Sequence, residues 1–213
     1  MQAKTEYDVI IVGAGPTGLA LAAALAQRNI RIAVLDRQSA GANSSRAAVV
    51  HAHTLEALEE LGISSTLARL GVPATSFTIR DRDRLLVNIP FEGLPTQYAY
   101  TLMISQAQTE AVLRDRLGQL GVDVRWNCAV TSVSQSSESA MATLADGTTL
   151  QARYVVGADG MHSLVRESAG IGFDGARYEE SFVLADVRLD GDVPGDEVIL
   201  YFSPAGMVVV APL

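Results

Sequence analysis

Apolar residues recur along this chain in two rhythms, short unbroken runs and periods of three to four, and their alternation predicts a fold. The run Tyr7–Val12 is continuous enough for a strand buried on both faces. Alanine-rich Pro16–Arg28 predicts a helix returning to a second strand, Arg31–Leu35, and a βαβ unit of this kind crosses over right-handed. A Gly/Asn/Ser loop, Ser39–Ser45, precedes an amphipathic helix over His51–Leu61 that carries Leu55, Leu58 and Leu61 on one side. Phe77–Ile79 and Leu85–Ile89 alternate as strands around the charged turn Arg80–Arg84, a solvated hairpin tip. Ser105–Leu120 predicts the next helix, with Ala107, Ala111, Leu113, Leu117 and Leu120 supplying its apolar face. Val122–Trp126 reads as a strand. Ala129–Ser134, Ala140–Leu144 and Thr148–Leu150 read as an antiparallel meander closed by the Asp146-Gly147 turn. A separate buried strand, Arg153–Val156, and a helix, His162–Ser168, follow. From Tyr178 onward the pattern is strand after strand, Ser181–Leu189, Val198–Phe202 and Gly206–Val210, which puts a domain boundary near Gly172–Arg177. The class is α/β.

Composition narrows this picture. With 213 residues, 48% of them hydrophobic and 19% charged, the chain is globular and long enough for one or two domains. A net charge of −8 without a basic stripe excludes a nucleic-acid partner. The single cysteine, Cys128, excludes an internal disulfide and is read as a buried strand residue. Three histidines do not make a metal site: His51 and His53 stand two apart and would point in different directions on a helix. The apolar stretch Val9–Ala26 is divided by Gly13, Gly15, Pro16, Thr17 and Gly18 into a strand and a short helix, so no membrane span is expected. The acidic start, with no cleavage context after the apolar segment, is unlike a secretory signal, and a cytoplasmic protein is expected.

The division of that apolar stretch is where the chemistry begins. Gly13-Ala-Gly15-Pro16-Thr17-Gly18 lies between a strand and a helix, the context in which a GxGxxG pattern binds a dinucleotide. Gly13 allows the tight turn, Gly15 lets backbone approach a pyrophosphate, and Gly18 lets the helix pack close. The diphosphate would sit at the positive helix end. Asp36 closes the second strand, where a carboxylate accepts ribose hydroxyls. Arg37 beside it hints at a 2′-phosphate that the carboxylate would repel. These residues alone suit FAD and NAD equally.

Gly157-Ala-Asp159-Gly160, followed by Ser163 and Arg166, makes the likeness specific: the chain resembles the class A flavoprotein monooxygenases, the para-hydroxybenzoate hydroxylase-like aromatic hydroxylases. Ser45-Arg46-Ala47 resembles the family's flavin-contacting arginine, and Ser105-Gln106-Ala107-Gln108 the segment whose first glutamine reaches the flavin. His51-Ala-His-Thr-Leu-Glu56 resembles the helix that follows the arginine, with His53 where many relatives have Arg; both histidines are read as structural or flavin-proximal. The resemblance implies a Rossmann-like FAD-binding domain of the glutathione-reductase type over residues 1–174, with β elements inserted around 76–104. It also implies the start of a substrate-binding sheet over 175–213, where Tyr201 is read either as part of the substrate layer or as a buried core tyrosine. It makes FAD the cofactor and NAD(P)H the co-substrate, and implicates Asp159 and Gly160 in binding both.

The implied activity is hydroxylation of an aromatic or phenolic substrate, polyketide-type rings included, by NAD(P)H and O2 through a C4a-hydroperoxyflavin. No side-chain nucleophile is needed, and no catalytic acid or base is assigned. The family's late Gly-Asp motif is expected beyond residue 213: Asp190-Gly-Asp192 and Pro194-Gly-Asp196 lie in a charged loop with no buried strand before them. The chain is therefore expected to be a fragment whose sheet is completed by more of the same polypeptide or by a second chain, and to bind FAD weakly and hydroxylate nothing alone. Flavin-dependent halogenases are discounted because Trp126, in Arg-Trp-Asn, is no WxWxIP signature. A reductase or epoxidase of the same fold, or a non-catalytic nucleotide-binding piece, stays open.

Overall fold

The computed structural model describes residues 6–41, 48–176, 179–191, 193–204 and 206–213. The opening unit forms as its pattern dictates: β1 (Tyr7–Val12), α1 (Pro16–Gln27) and β2 (Ile32–Leu35), the strands parallel in register from Val9↔Ile32 to Val12↔Leu35. Next come β3 (Val49–Val50), α2 (Ala52–Glu59), α3 (Ser64–Leu70) and β4 (Val72–Ala74). The hairpin β5 (Ser76–Asp81) and β6 (Arg84–Pro90) leads to β7 (Thr101–Met103) and α4 (Gln106–Gln119). Then follow β8 (Val124–Arg125), β9 (Val130–Gln135), β10 (Ala140–Leu144), β11 (Thr149–Gly157), α5 (Leu164–Ser168), β12 (Glu197–Ser203) and β13 (Gly206–Val210).

The main sheet runs β8-β2-β1-β11-β10-β9. Its central member corrects the sequence reading, which split residues 148–156 into the last strand of a meander and a separate buried strand. They are one strand. β11 pairs antiparallel with β10 through Thr149–Ala152 and parallel with β1 through Ala152–Gly157, so the meander and the nucleotide-type sheet are continuous. Alternate residues of β1 serve two cores. Val9 and Ile11 pack with Leu19, Ala22 and Ala23 of α1, Leu55 and Leu58 of α2, Leu67 of α3 and Leu113 and Leu117 of α4. Ile10 and Val12 pack with Ala142, Leu144 and Leu150 of the meander. Both faces of the parallel strands are covered, as such strands require.

Other departures have local causes. The strand expected over Val122–Trp126 shrinks to β8, because the chain turns at Trp126–Asn127, where Asn127 takes φ +56°. On α4 the buried positions are Thr109, Glu110, Val112, Leu113 and Leu117, while Ala107, Ala111 and Leu120 are half-buried, so the helix is rotated relative to the expected face. Ser181–Leu189, rich in apolar residues, forms no strand: no neighbouring strand among the described residues pairs with it, and Val183 is 93% exposed. β3, β4 and β7, too short to show a period, form a third sheet in the order β3-β7-β4. The last two strands join the earlier hairpin in a sheet ordered β13-β12-β5-β6, with β12 parallel to β5 from Glu197↔Ser76 to Tyr201↔Arg80. Arg80 Nη2 meets Glu197 Oε1 at 2.8 Å across that pair.

Candidate functional site

The carboxyl ends of β1, β2 and β11 open on one cavity of about 530 Å³, where an open α/β sheet binds its ligands. Gly13, Gly15, Pro16, Thr17, Asp36, Arg37, Gln106, Asp159 and Gly160 all line it. Gly18 sits just behind the wall. Arg46 lies outside the described residues.

The glycine loop is built by contact on one side and by space on the other. Gly13 takes φ +104°, and a Cβ there would stand 2.3 Å from the Ala158 carbonyl oxygen; one on Gly18 would stand 2.0 Å from that of Gly13. Neither position tolerates a side chain. At Gly15 nothing lies within 4 Å of the missing Cβ, so this backbone faces open cavity. α1 begins there with no side-chain cap and no acidic residue in its first turn, and its first bond runs from Leu19 N–H to the Gly15 carbonyl at 2.9 Å. The N–H groups of Thr17 and Gly18 are left without intrahelical partners at the positive end of the helix. A cradle with room for backbone contact, unpaired donors and no acidic residue in the helix's first turn fits a diphosphate.

Asp36 does more than its motif suggests. Its Oδ2 accepts from Ala14 N–H at 2.7 Å and its Oδ1 from Gln38 N–H at 2.8 Å, so the carboxylate ties the glycine loop to the end of β2. Two oxygens offer about four acceptor sites, which leaves capacity for ribose hydroxyls. Asp159, in contrast, is turned inward: Oδ1 accepts from Ser163 Oγ at 2.5 Å, and Oδ2 from Leu164 N–H at 2.7 Å and Val165 N–H at 3.3 Å. Its carboxylate caps α5 and shapes the loop whose Gly160 faces the cavity.

Gln106 stands where this cavity meets a second, largely apolar one of about 290 Å³, walled by Val49, Val50, Leu58, Ile104 and Leu113; Pro16, Thr17 and Gln106 line both. Of the histidines, His53 is exposed beside Glu56, outside either cavity, and His162 lines the first. Cys128 is half-buried between β8 and β9 rather than on a strand, and it too lines the first cavity, with Trp126, Ala129 and Val130. Sequence reasoning missed these wall residues and also Glu110, which is 1% exposed at the cavity floor. Two signals were available. β8 ends beside β2, so the residues after it had to reach the same crevice, and Glu110 follows Gln106 by four on one helix face.

The FAD binding domain family matches residues 6–213. The chain is 38% identical over 210 residues to 6-methylpretetramide 4-monooxygenase of Streptomyces rimosus, covering 96% of this chain and 38% of the relative. It is 34% identical over 209 residues to pentachlorophenol 4-monooxygenase of Sphingobium chlorophenolicum, covering 93% and 38%. The solved p-nitrophenol 4-monooxygenase PnpA of Pseudomonas putida DLL-E4 superposes with a TM-score of 0.77 at 28% identity, over 83% of this chain and 46% of that one. The chain thus spans about 38% of the length of these two curated relatives.

Proposed function

The chain belongs to the FAD binding domain family of class A flavoprotein monooxygenases, and from that membership we propose that it forms the cofactor-binding part of an enzyme that hydroxylates an aromatic or phenolic substrate, polyketide-type rings included, with NAD(P)H and O2. The observation that carries this reading is the convergence of the glycine loop, Asp36, Gln106 and the Asp159-Gly160 loop on one cavity. Bound FAD supplies the redox chemistry, accepting reducing equivalents from NAD(P)H and activating O2. The chain's own residues bind and orient. Thr17 and Gly18 N–H groups hold the diphosphate, Gly15 admits it to backbone contact, and Asp36 accepts the ribose hydroxyls while keeping Ala14 in place. Gln106 and Arg46 are assigned to the flavin's middle and ring end. Asp159 acts through the loop it caps, presenting Gly160 to the cofactor.

No helix among the described residues is long and apolar enough to cross a membrane, and a cytoplasmic location is part of the proposal. The open apolar surface of the β13-β12-β5-β6 sheet supports a working enzyme in which further protein, in the same or a second chain, covers it. On this reading residues 1–213 alone bind FAD weakly and do not hydroxylate. Titrating the purified chain with FAD and with NAD tests the cofactor: a flavin absorption band is expected, and a colourless protein that binds NAD alone overturns the reading. Asp36→Ala is expected to lose about 1.5–3 kcal/mol of FAD affinity, the range for hydrogen bonds to a charged group. Unchanged affinity would remove Asp36 from the site. Product analysis with NADPH, O2 and phenolic substrates, on a polypeptide of the relatives' length, separates hydroxylation from reduction or epoxidation.

A further inference from the structure

The cofactor reading leaves the buried carboxyl of Glu110 without a role. Glu110 lies on the cavity floor, one turn along α4 from Gln106, and its Oε1 accepts from Gln106 Nε2 at 2.8 Å. Its Oε2 stands 3.7 Å from Arg114 Nη1, one turn further on. Gly41 closes over that guanidinium so tightly that a Cβ there would lie 2.4 Å from Nη1. Gln106, Glu110 and Arg114 thus form a polar ladder along one side of a helix whose buried apolar positions, Val112, Leu113 and Leu117, serve the apolar core. A buried carboxylate is costly without partners, and this one has a hydrogen bond from Gln106 and an ion pair with Arg114.

The ladder fixes a polarity. A primary amide offers donors at one end and an acceptor at the other, and a carboxylate can only accept, so the Gln106 NH₂ must face Glu110 and its carbonyl oxygen must face away. We propose that Glu110 is a positioning residue that locks the Gln106 side chain with its carbonyl as the working end, so that Gln106 receives a hydrogen bond from a hydroxyl or N–H of the bound FAD at the junction of the two cavities. Arg114 is the counter-charge that keeps the carboxylate in place. This inference rests on the assignment of Gln106 to the cofactor. Without Glu110 the amide turns freely and presents donor or acceptor with no preference.

A double-mutant cycle on the 213-residue chain, read by FAD titration, tests it. Glu110→Leu is expected to weaken FAD binding about two- to twelve-fold, the worth of one neutral hydrogen bond, and Glu110→Gln, which retains an acceptor, to restore most of that loss. In a Gln106→Ala background Glu110→Leu is expected to change nothing further. An equal loss in that background means the carboxylate serves only the fold and overturns the proposal, as does wild-type affinity in Glu110→Leu. If Gln106→Ala itself binds FAD like the wild type, the assignment of Gln106 fails first and the inference falls with it. If Gln106→Ala weakens binding and Glu110→Leu does not, the inference alone fails. Should Glu110→Leu not fold, the wild-type chain still decides. Its Gln106 side-chain amide protons, identified in a ¹⁵N–¹H spectrum by their disappearance in Gln106→Ala, are expected to be shifted downfield by the carboxylate; a pair at the position of exposed glutamines overturns the proposal.

Discussion

The two larger sheets of this molecule are both built from β-prone sequence and end in opposite conditions. In the six-stranded sheet β1 and β2 are enclosed on both sides, with Ile10 and Ile11 fully buried between the helices and the meander. In the four-stranded sheet every residue of β6 is exposed, Val208 of β13 is 60% exposed, and Thr78, Glu197 and Ile199 are the buried residues of all four strands. β-propensity therefore forms a strand whether or not anything covers it, and burial depends on the layers around it. The first sheet has its layers within residues 6–170. Among the described residues the second does not, and its centre is held by the Arg80–Glu197 ion pair and Thr78.

Mutations can break that contrast. Ile11→Ala should destabilise the chain by about 2–5 kcal/mol through the cavity it leaves between β1 and the helices, measured by urea unfolding. Asp159→Ala removes the acceptor for Ser163 Oγ and two backbone N–H groups at α5, and should lose about 0.5–2 kcal/mol in the same assay. On the open sheet, Val208→Ser should shift stability by less than about 0.5 kcal/mol yet reduce self-association, measured by light scattering. A Val208→Ser loss as large as that of Ile11→Ala would show that the second sheet is covered after all. The smallest effect belongs to the meander's rim. There the Thr148 N–H, with its hydroxyl second, holds the Asp146 carboxyl below the usual range. A lowered folded-state value gives stability that is present above the unfolded pKa and lost as pH falls through the folded one, so the melting temperature should decline in that acid window. Asp146→Asn should flatten that decline and leave neutral-pH melting nearly unchanged.

What could be read from the sequence was what has a period or a rigid local rule. β1, α1 and β2 were legible because a continuous apolar run, a glycine turn and an alanine-rich helix each leave a local signature, and Gly13 to Gly18, Asp36, Gln106 and Asp159-Gly160 were placed near one another by motif order. The continuity of β11 was not. Its halves look like separate strands because Thr149–Ala152 answers to a hairpin partner and Ala152–Gly157 to a parallel one, and only pairing reveals that Ala152 serves both. The inward turn of Asp159 was hidden for a related reason: its partners, four to six residues ahead, are the first groups of α5, and the pattern that predicts that helix does not show which side chain caps it. Ser181–Leu189 failed the other way, since apolar, β-prone residues predict a strand and cannot supply its neighbour.

The packing of Gly13 against Ala158 bears on whether this glycine loop can be transplanted. Three strand ends are stitched together there: Gly13 N–H donates to the Leu35 carbonyl at 2.8 Å, Ala158 N–H to that of Val12 at 2.7 Å, and Ala14 N–H to Asp36. The loop is the middle layer of a laminate contributed by segments more than a hundred residues apart. A graft of residues 7–36 into another α/β scaffold would carry the pattern without the surface that moulds it. To keep its shape, the transplant must bring the 157–160 turn as a second piece, because that turn presses on the glycine from the side the motif does not name.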